Sequence, residues 1–136
     1  MFQDIHEIAV LVSAILAIAV GSIWYSPLVF GETWMRVSGV RITDFAPSKR
    51  AIFISVVSAL IGNIVALFVL AQFVALSRMY GISIWYVASL LLVLFGASLA
   101  CMALWEKKSF TYVAIHVGYI AIVIYGGVTI ISMWPW

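Results

Sequence analysis

The stretch AIFISVVSALIGNIVALFVLAQFVALS, from Ala51 to Ser77, contains no Asp, Glu, Lys or Arg. An α-helix rises about 1.5 Å per residue, so roughly 20 apolar residues cross a bilayer core, and this stretch is long enough to cross with some tilt. Together with three further apolar runs, it gives predicted spans over approximately residues 8–26, 51–77, 84–105 and 110–133. The pattern predicts an all-α fold: a polytopic membrane protein built as an antiparallel bundle of four transmembrane helices.

The composition of the whole chain supports this prediction. Of its 136 residues, 66% are hydrophobic and only 9% are charged, and the mean hydropathy is +1.22. Soluble domains carry about 25% charged residues, so this chain has too few polar side chains to cover the surface of a soluble protein. The four spans use most of the chain and leave no room for a soluble catalytic domain. We therefore expect one transmembrane domain over residues 1–136.

The sequence has no pattern typical of a catalytic or cofactor site. It has no Gly-rich phosphate loop, no nucleophile elbow and no paired carboxylates at catalytic spacing. We expect His6 and His116 to differ in depth by about 20 Å across the bilayer, too far apart for one metal or haem. Cys101 is the single cysteine and is expected to be a packing residue. We predict that the protein is not an enzyme and has no metal and no cofactor.

The basic residues lie on one side of the predicted bundle. The first and third connections between spans carry Arg36, Arg41, Lys49, Arg50, Lys107 and Lys108. The opposite side carries only Arg78. Because cytoplasmic loops are enriched in Lys and Arg, we expect a multi-pass protein of the bacterial inner membrane with both termini non-cytoplasmic.

No Lys or Arg precedes the first span, so we expect this span to be retained rather than cleaved as a signal peptide. The spread of basic residues suits membrane lipids as partners and argues against nucleic acid.

The connection after the first span is rich in aromatic residues. Phe30, Trp34, Met35 and Val37 are interspersed with polar and charged residues, and Gly39 is a natural stop. This pattern predicts a short helix over about residues 31–38 that lies in the membrane interface. An irregular loop is the alternative.

Two segments carry a family resemblance. GSIWYSPLVFGETW, from Gly21 to Trp34, resembles the signature of a bacterial membrane family catalogued as domain of unknown function 1761. LWEKKSF, from Leu104 to Phe110, followed by Gly118 and Tyr119, resembles its second recurring segment. The resemblance covers nearly the whole chain and implies a four-span inner-membrane protein with no assigned activity. It also implies a small amide residue near the position of His116, from which histidine is a departure.

Two sets of residues are candidates for function. Polar side chains inside a span are costly and are functional candidates by default. Asn63, His116 and Tyr119 form a candidate polar path, with hydrogen-bonded packing as the alternative. The second set is a candidate headgroup site or, alternatively, a structural corner in which a proline ends a helix between aromatic anchors. It comprises Trp24, Tyr25, Pro27 and Trp34.

Three hypotheses for the function follow. The first is a non-enzymatic accessory, scaffold or homo-oligomeric packing protein, supported by stripes of small residues that let helices approach closely. These stripes are Ser13–Ala17–Gly21, Ser58–Gly62–Ala66 and Ala114–Gly118, and they serve contacts either within the bundle or with other subunits of a larger complex. The second is a small oligomeric transporter or channel with a polar path near Asn63 and His116. The third is a lipid- or quinone-binding membrane protein.

Overall fold

The chain folds into helices that follow the predicted spans. A computed structural model describes residues 6–40 and 48–135. Within these two ranges there are five α-helices and no β-strand. The helices are α1 (Glu7–Trp24), α2 (Gly31–Ser38), α3 (Lys49–Tyr80), α4 (Ile84–Trp105) and α5 (Phe110–Met133).

The four long helices agree with the sequence prediction. Each is long and apolar enough to cross a membrane, and each matches a predicted span to within three residues at either end. The short helix expected over residues 31–38 is α2. The all-α class is therefore confirmed for the described residues.

The end of α3 differs from the prediction. The predicted span ends at Ser77, but the helix continues to Tyr80. Reversal of the chain needs a left-handed residue, which Gly81 supplies with φ 66° because it has no Cβ. The N–H of Ile82 then donates to the carbonyl of Ser77 at 2.9 Å, which closes a Schellman-type cap. The guanidinium of Arg78 donates to the carbonyl of Ser132 at 2.7 Å and ties this end of α3 to the end of α5.

Serine residues cap the N-termini of α3 and α5. The hydroxyl of Ser48 accepts the backbone N–H of Ala51 at 3.2 Å. The hydroxyl of Ser109 accepts the N–H of Tyr112 at 3.3 Å. Each bond satisfies one of the free N–H groups at a helix start, so α3 and α5 begin at defined positions.

Helix α5 lies at the centre of the packing, because it contacts each of the other four helices. The buried core that surrounds it consists mostly of Ala and branched aliphatic side chains. Its members are Ala9, Val10, Ala14, Ala17, Leu67, Leu70, Ala71, Val74, Ala88, Ile124, Val128 and Ile131. Gly127 lets α3 approach closely: a Cβ there would lie 2.5 Å from Cδ2 of Leu67 and 3.1 Å from Cδ2 of Leu70.

The small-residue stripes point in different directions. Ser13 and Ala17 of α1 are buried inside the bundle. By contrast, the stripe Ser58–Gly62–Ala66 of α3 is exposed, and a Cβ at Gly62 would meet nothing within 4 Å. The stripe on α1 therefore serves packing within the chain, whereas the stripe on α3 faces outward.

Gly127 and its neighbour Gly126 offer a matched test of the packing around α5. Gly127→Ala should lower the free energy of unfolding by about 1–3 kcal/mol, since the buried side chain of Leu67 has little room to move. Gly126→Ala should be neutral or stabilising, by up to about 1 kcal/mol from helix propensity, because a Cβ at Gly126 would meet nothing within 4 Å. Thermal unfolding in detergent measures both variants. Equal stability of the two would contradict this packing of α3 on α5.

Candidate functional site

The chain turns sharply between α1 and α2. The N–H of Phe30 donates to the carbonyl of Trp24 at 3.1 Å, and the N–H of Gly31 donates to the carbonyl of Ser26 at 2.8 Å. A Cβ at Gly31 would lie only 2.5 Å from the carbonyl oxygen of Tyr25, so the first residue of α2 must be glycine here. Pro27 lies inside the turn, at a position where no backbone hydrogen bond needs an N–H donor. We call residues 24–31 the corner.

Trp24 fixes the corner against α5. Its indole N–H donates to the carbonyl of Ile115 at 3.0 Å. Its ring covers Gly118, where a Cβ would lie 2.9 Å from Cζ2 of the indole. The ring of Phe30 packs on the other side with centroids 4.6 Å apart. These contacts are of the kind expected from the structural-corner alternative for Trp24.

His116 of α5 joins the corner to α2. Its Nδ1 lies 2.8 Å from the hydroxyl oxygen of Tyr25. Its Nε2 accepts the indole N–H of Trp34 at 3.3 Å. The ring of Tyr112, one turn earlier on α5, packs edge-on with centroids 4.4 Å apart. Both ring nitrogens are thus occupied by protein partners, which leaves neither as a ready metal ligand.

The direction of these hydrogen bonds can be assigned. An indole N–H only donates, so Nε2 of His116 must accept and carries no proton. The neutral ring then carries its proton on Nδ1 and donates it to the hydroxyl oxygen of Tyr25. A charged imidazolium would bring two N–H groups face to face at 3.3 Å, so the arrangement fits the neutral ring. Burial raises the pKa of the Tyr25 hydroxyl, which lies just past the end of α1, to about 12. Tyr25 is therefore protonated at neutral pH.

A cavity of about 510 Å³ lies beside these residues. It is lined by Tyr25, Pro27, Gly31, Trp34, Met35 and His116. Its volume falls in the range of pockets that hold small-molecule ligands, roughly 300–1,000 Å³. The sequence hypotheses named four of the six, three in the headgroup set and His116 in the polar path, and they missed Gly31 and Met35 as lining residues. Gly31 stands within the quoted signature, but nothing in the sequence indicates that Met35 faces a cavity.

The candidate polar path lies next to this cavity. The ring of Tyr119 packs against that of Tyr25 with centroids 5.6 Å apart, and its hydroxyl donates to the carbonyl of Ala17 at 3.1 Å. The side chain of Asn63 interacts with the Tyr119 hydroxyl, while its amide N–H donates to the carbonyl of Ala59 in its own helix at 2.9 Å. The three predicted residues form a row with Tyr25, but only His116 lines the cavity.

The second signature segment holds the far end of α2. The ammonium of Lys108 donates to the carbonyl of Ser38, the last residue of α2, at 2.6 Å. It also lies 5.8 Å from the centre of the Tyr112 ring. A cation at a helix C-terminus is favourable. The corner and Lys108 therefore fix α2 at both ends above α5.

The hydrogen atom on the His116 ring can be located by 15N NMR of the labelled imidazole. We expect the neutral ring to carry its proton on Nδ1, and Trp34→Phe to shift the population toward Nε2–H, because the donor to Nε2 is lost. His6→Gln serves to assign the two histidine signals. An Nε2–H tautomer in the unmodified protein would contradict the hydrogen-bond assignment.

Comparison with known proteins gives one match. The model of the family described as "Protein of unknown function (DUF1761)" matches residues 8–132. This range includes all five helices except the first residue of α1 and the last of α5. No curated protein and no solved structure matches the chain. The match covers nearly the whole chain, and the protein therefore belongs to the family of unknown function DUF1761.

Proposed function

We propose that this protein binds an amphipathic small molecule of the bilayer, a lipid or a quinone, in the cavity between the corner, α2 and α5. The observation that carries the proposal is the cavity of about 510 Å³ itself. Its wall combines aromatic and apolar surface from Trp34, Met35 and Pro27 with the polar pair Tyr25 and His116. Mostly apolar walls with a few placed polar groups are typical of small-molecule sites. No catalytic step is part of this proposal.

The depth of the site supports an amphiphile. Tyr25 follows the last residue of α1, and His116 lies six residues into α5. At 1.5 Å per residue, His116 is about 9 Å below the start of α5. In a bilayer the cavity would then extend from the headgroup region into the outer part of the hydrocarbon core. A molecule with a polar end and an apolar tail fits that position.

The two faces of α2 support its placement in the interface. Glu32 and Arg36, one turn apart, are exposed, while Trp34 and Met35 are partly buried at the cavity. An amphipathic helix of this kind lies with its apolar face toward the membrane or the bundle. We propose that α2 forms one wall of the binding site at the cytoplasmic interface.

The membrane arrangement follows from the helices and the charge distribution. We propose that α1, α3, α4 and α5 cross the bacterial inner membrane in alternating directions, with both termini non-cytoplasmic. Arg36, Lys107 and Lys108 lie on the side of the cavity, in agreement with the excess of Lys and Arg in cytoplasmic loops. The site would then face lipid headgroups of the cytoplasmic leaflet.

Two other functions remain hypotheses. The row His116, Tyr25, Tyr119 and Asn63 favours transport along a polar path as the second candidate. However, Asn63 donates to its own helix and Tyr119 donates to a backbone carbonyl, which are the bonds expected of packing residues. The accessory or homo-oligomeric role would use the outward stripe around Gly62, which is open to a neighbouring helix. This role is compatible with ligand binding at the corner.

Trp34→Ala tests the proposed site. Native mass spectrometry of the protein released from mild detergent should detect a reproducible bound molecule, and the variant should retain it at least roughly tenfold more weakly, because a large aromatic wall is lost. Trp105→Ala is the matched control, since Trp105 is 88% exposed at the end of α4 and away from the cavity. Equal retention by Trp34→Ala and the unmodified protein would overturn the proposal.

A further inference from the structure

The hydroxyl proton of Tyr25 is a hydrogen-bond donor without an acceptor among the described residues. Its oxygen accepts Nδ1–H of His116, because Trp34 occupies Nε2. A phenol carries one O–H donor besides its acceptor lone pairs. The described residues offer the Tyr25 hydroxyl no hydrogen-bond partner other than His116. Since Tyr25 lines the cavity, an acceptor for its proton can come from a molecule that occupies the cavity.

The cavity wall carries no charge. None of the six described residues that line it is ionised at neutral pH: Tyr25, Pro27, Gly31, Trp34, Met35 and His116. The nearest cation on the second signature segment, Lys108, is not a lining residue, and its ammonium is engaged by the carbonyl of Ser38. Moving a phosphate from water against such a wall would cost more than one neutral hydrogen bond returns. The wall therefore favours an uncharged polar end.

The side chains of the wall offer few acceptors. Nε2 of His116 is used by Trp34, and the indole of Trp34 offers no acceptor. The thioether of Met35 is only a weak acceptor. An alcohol headgroup would bring an O–H whose side-chain acceptors here are the Tyr25 oxygen, which already accepts from His116, and the Met35 thioether. A carbonyl oxygen accepts the Tyr25 proton and brings no donor. The hydrogen-bonding capacity of the wall thus favours a carbonyl.

We propose that the cavity binds an uncharged amphiphile through a carbonyl oxygen that accepts the hydroxyl proton of Tyr25. This proposal rests on the proposed function and specifies the chemistry of its ligand. Because Trp34 donates to Nε2 of His116, the ring proton lies on Nδ1 and is donated to the Tyr25 oxygen. The O–H of Tyr25 is then left as a donor for the ligand. Two sources supply such a carbonyl: the ring of a quinone, or the ester of a neutral glyceride.

Binding of four probes to the full chain in lipid nanodiscs tests the proposal. The probes are a decyl-substituted benzoquinone, the dimethyl ether of its reduced form, trioctanoylglycerol and a short-chain phosphatidylglycerol, each titrated by calorimetry. The dimethyl ether has a shape similar to that of the quinone but no carbonyl. We expect a carbonyl-bearing neutral probe to bind and the ether to bind roughly fivefold more weakly, the loss typical of one hydrogen bond. This comparison needs no variant, so it holds even if substitutions disturb folding.

Tyr25→Phe provides the second arm. The variant keeps the ring and removes the donor, so it should bind the carbonyl probe roughly fivefold more weakly and lose the preference over the ether. Tyr86→Phe is the matched control, because Tyr86 is 62% exposed and does not line the cavity. Tighter binding of the quinone would identify a ring carbonyl as the source, and tighter binding of the glyceride would identify an ester.

The outcomes separate this inference from the proposed function. If phosphatidylglycerol binds most tightly and Trp34→Ala abolishes its binding, the cavity is a ligand site but the inference of an uncharged ligand is wrong. The inference also falls if Tyr25→Phe binds the neutral probes as well as the unmodified protein does. If none of the four probes binds and no bound molecule is retained, the proposed function and the inference fail together.

Discussion

The contact between the indole of Trp24 and the backbone of α5 at Gly118 holds the site together. The ring lies where any side chain at Gly118 would be, and its N–H donates to the carbonyl of Ile115. A flat ring against a bare helix backbone buries apolar area and satisfies its one polar group in a single contact. Because Trp24 is the last residue of α1, this contact also fixes the direction in which the chain enters the corner.

The cavity depends on that anchor. With Trp24 held on α5, Tyr25 meets His116, and Gly31 starts α2 against the backbone of the corner. The Lys108 ammonium donates to the carbonyl of Ser38 and so holds the C-terminal end of α2. Both signature segments of the chain thus hold α2 over α5, beside the cavity. The same contacts orient the hydrogen bonds from Trp34 through His116 to Tyr25.

Sequence reasoning predicted the helices better than the site. Apolar length alone located the four long helices, and alternating aromatic and polar residues located α2. The end of α3 was set three residues early, because Arg78 looked like a loop residue whereas its long side chain reaches back to the end of α5. The partners of His116 could not be predicted, since Tyr25 and Trp34 lie 91 and 82 residues away in sequence. Which face α5 turns toward them depends on packing of the whole bundle, as does the exposure of Met35 to the cavity.

A double-mutant cycle of unfolding free energies in detergent tests whether the contact between Trp24 and Gly118 anchors the corner. Gly118→Ala alone should destabilise the protein by about 1–3 kcal/mol, because the new methyl group collides with the indole. In a Trp24→Phe background the smaller ring leaves room, so the same substitution should be less destabilising there, by at least about 1 kcal/mol. A coupling energy of this size and sign supports the account. Additive effects of the two substitutions would contradict it, since residues that do not touch show no coupling.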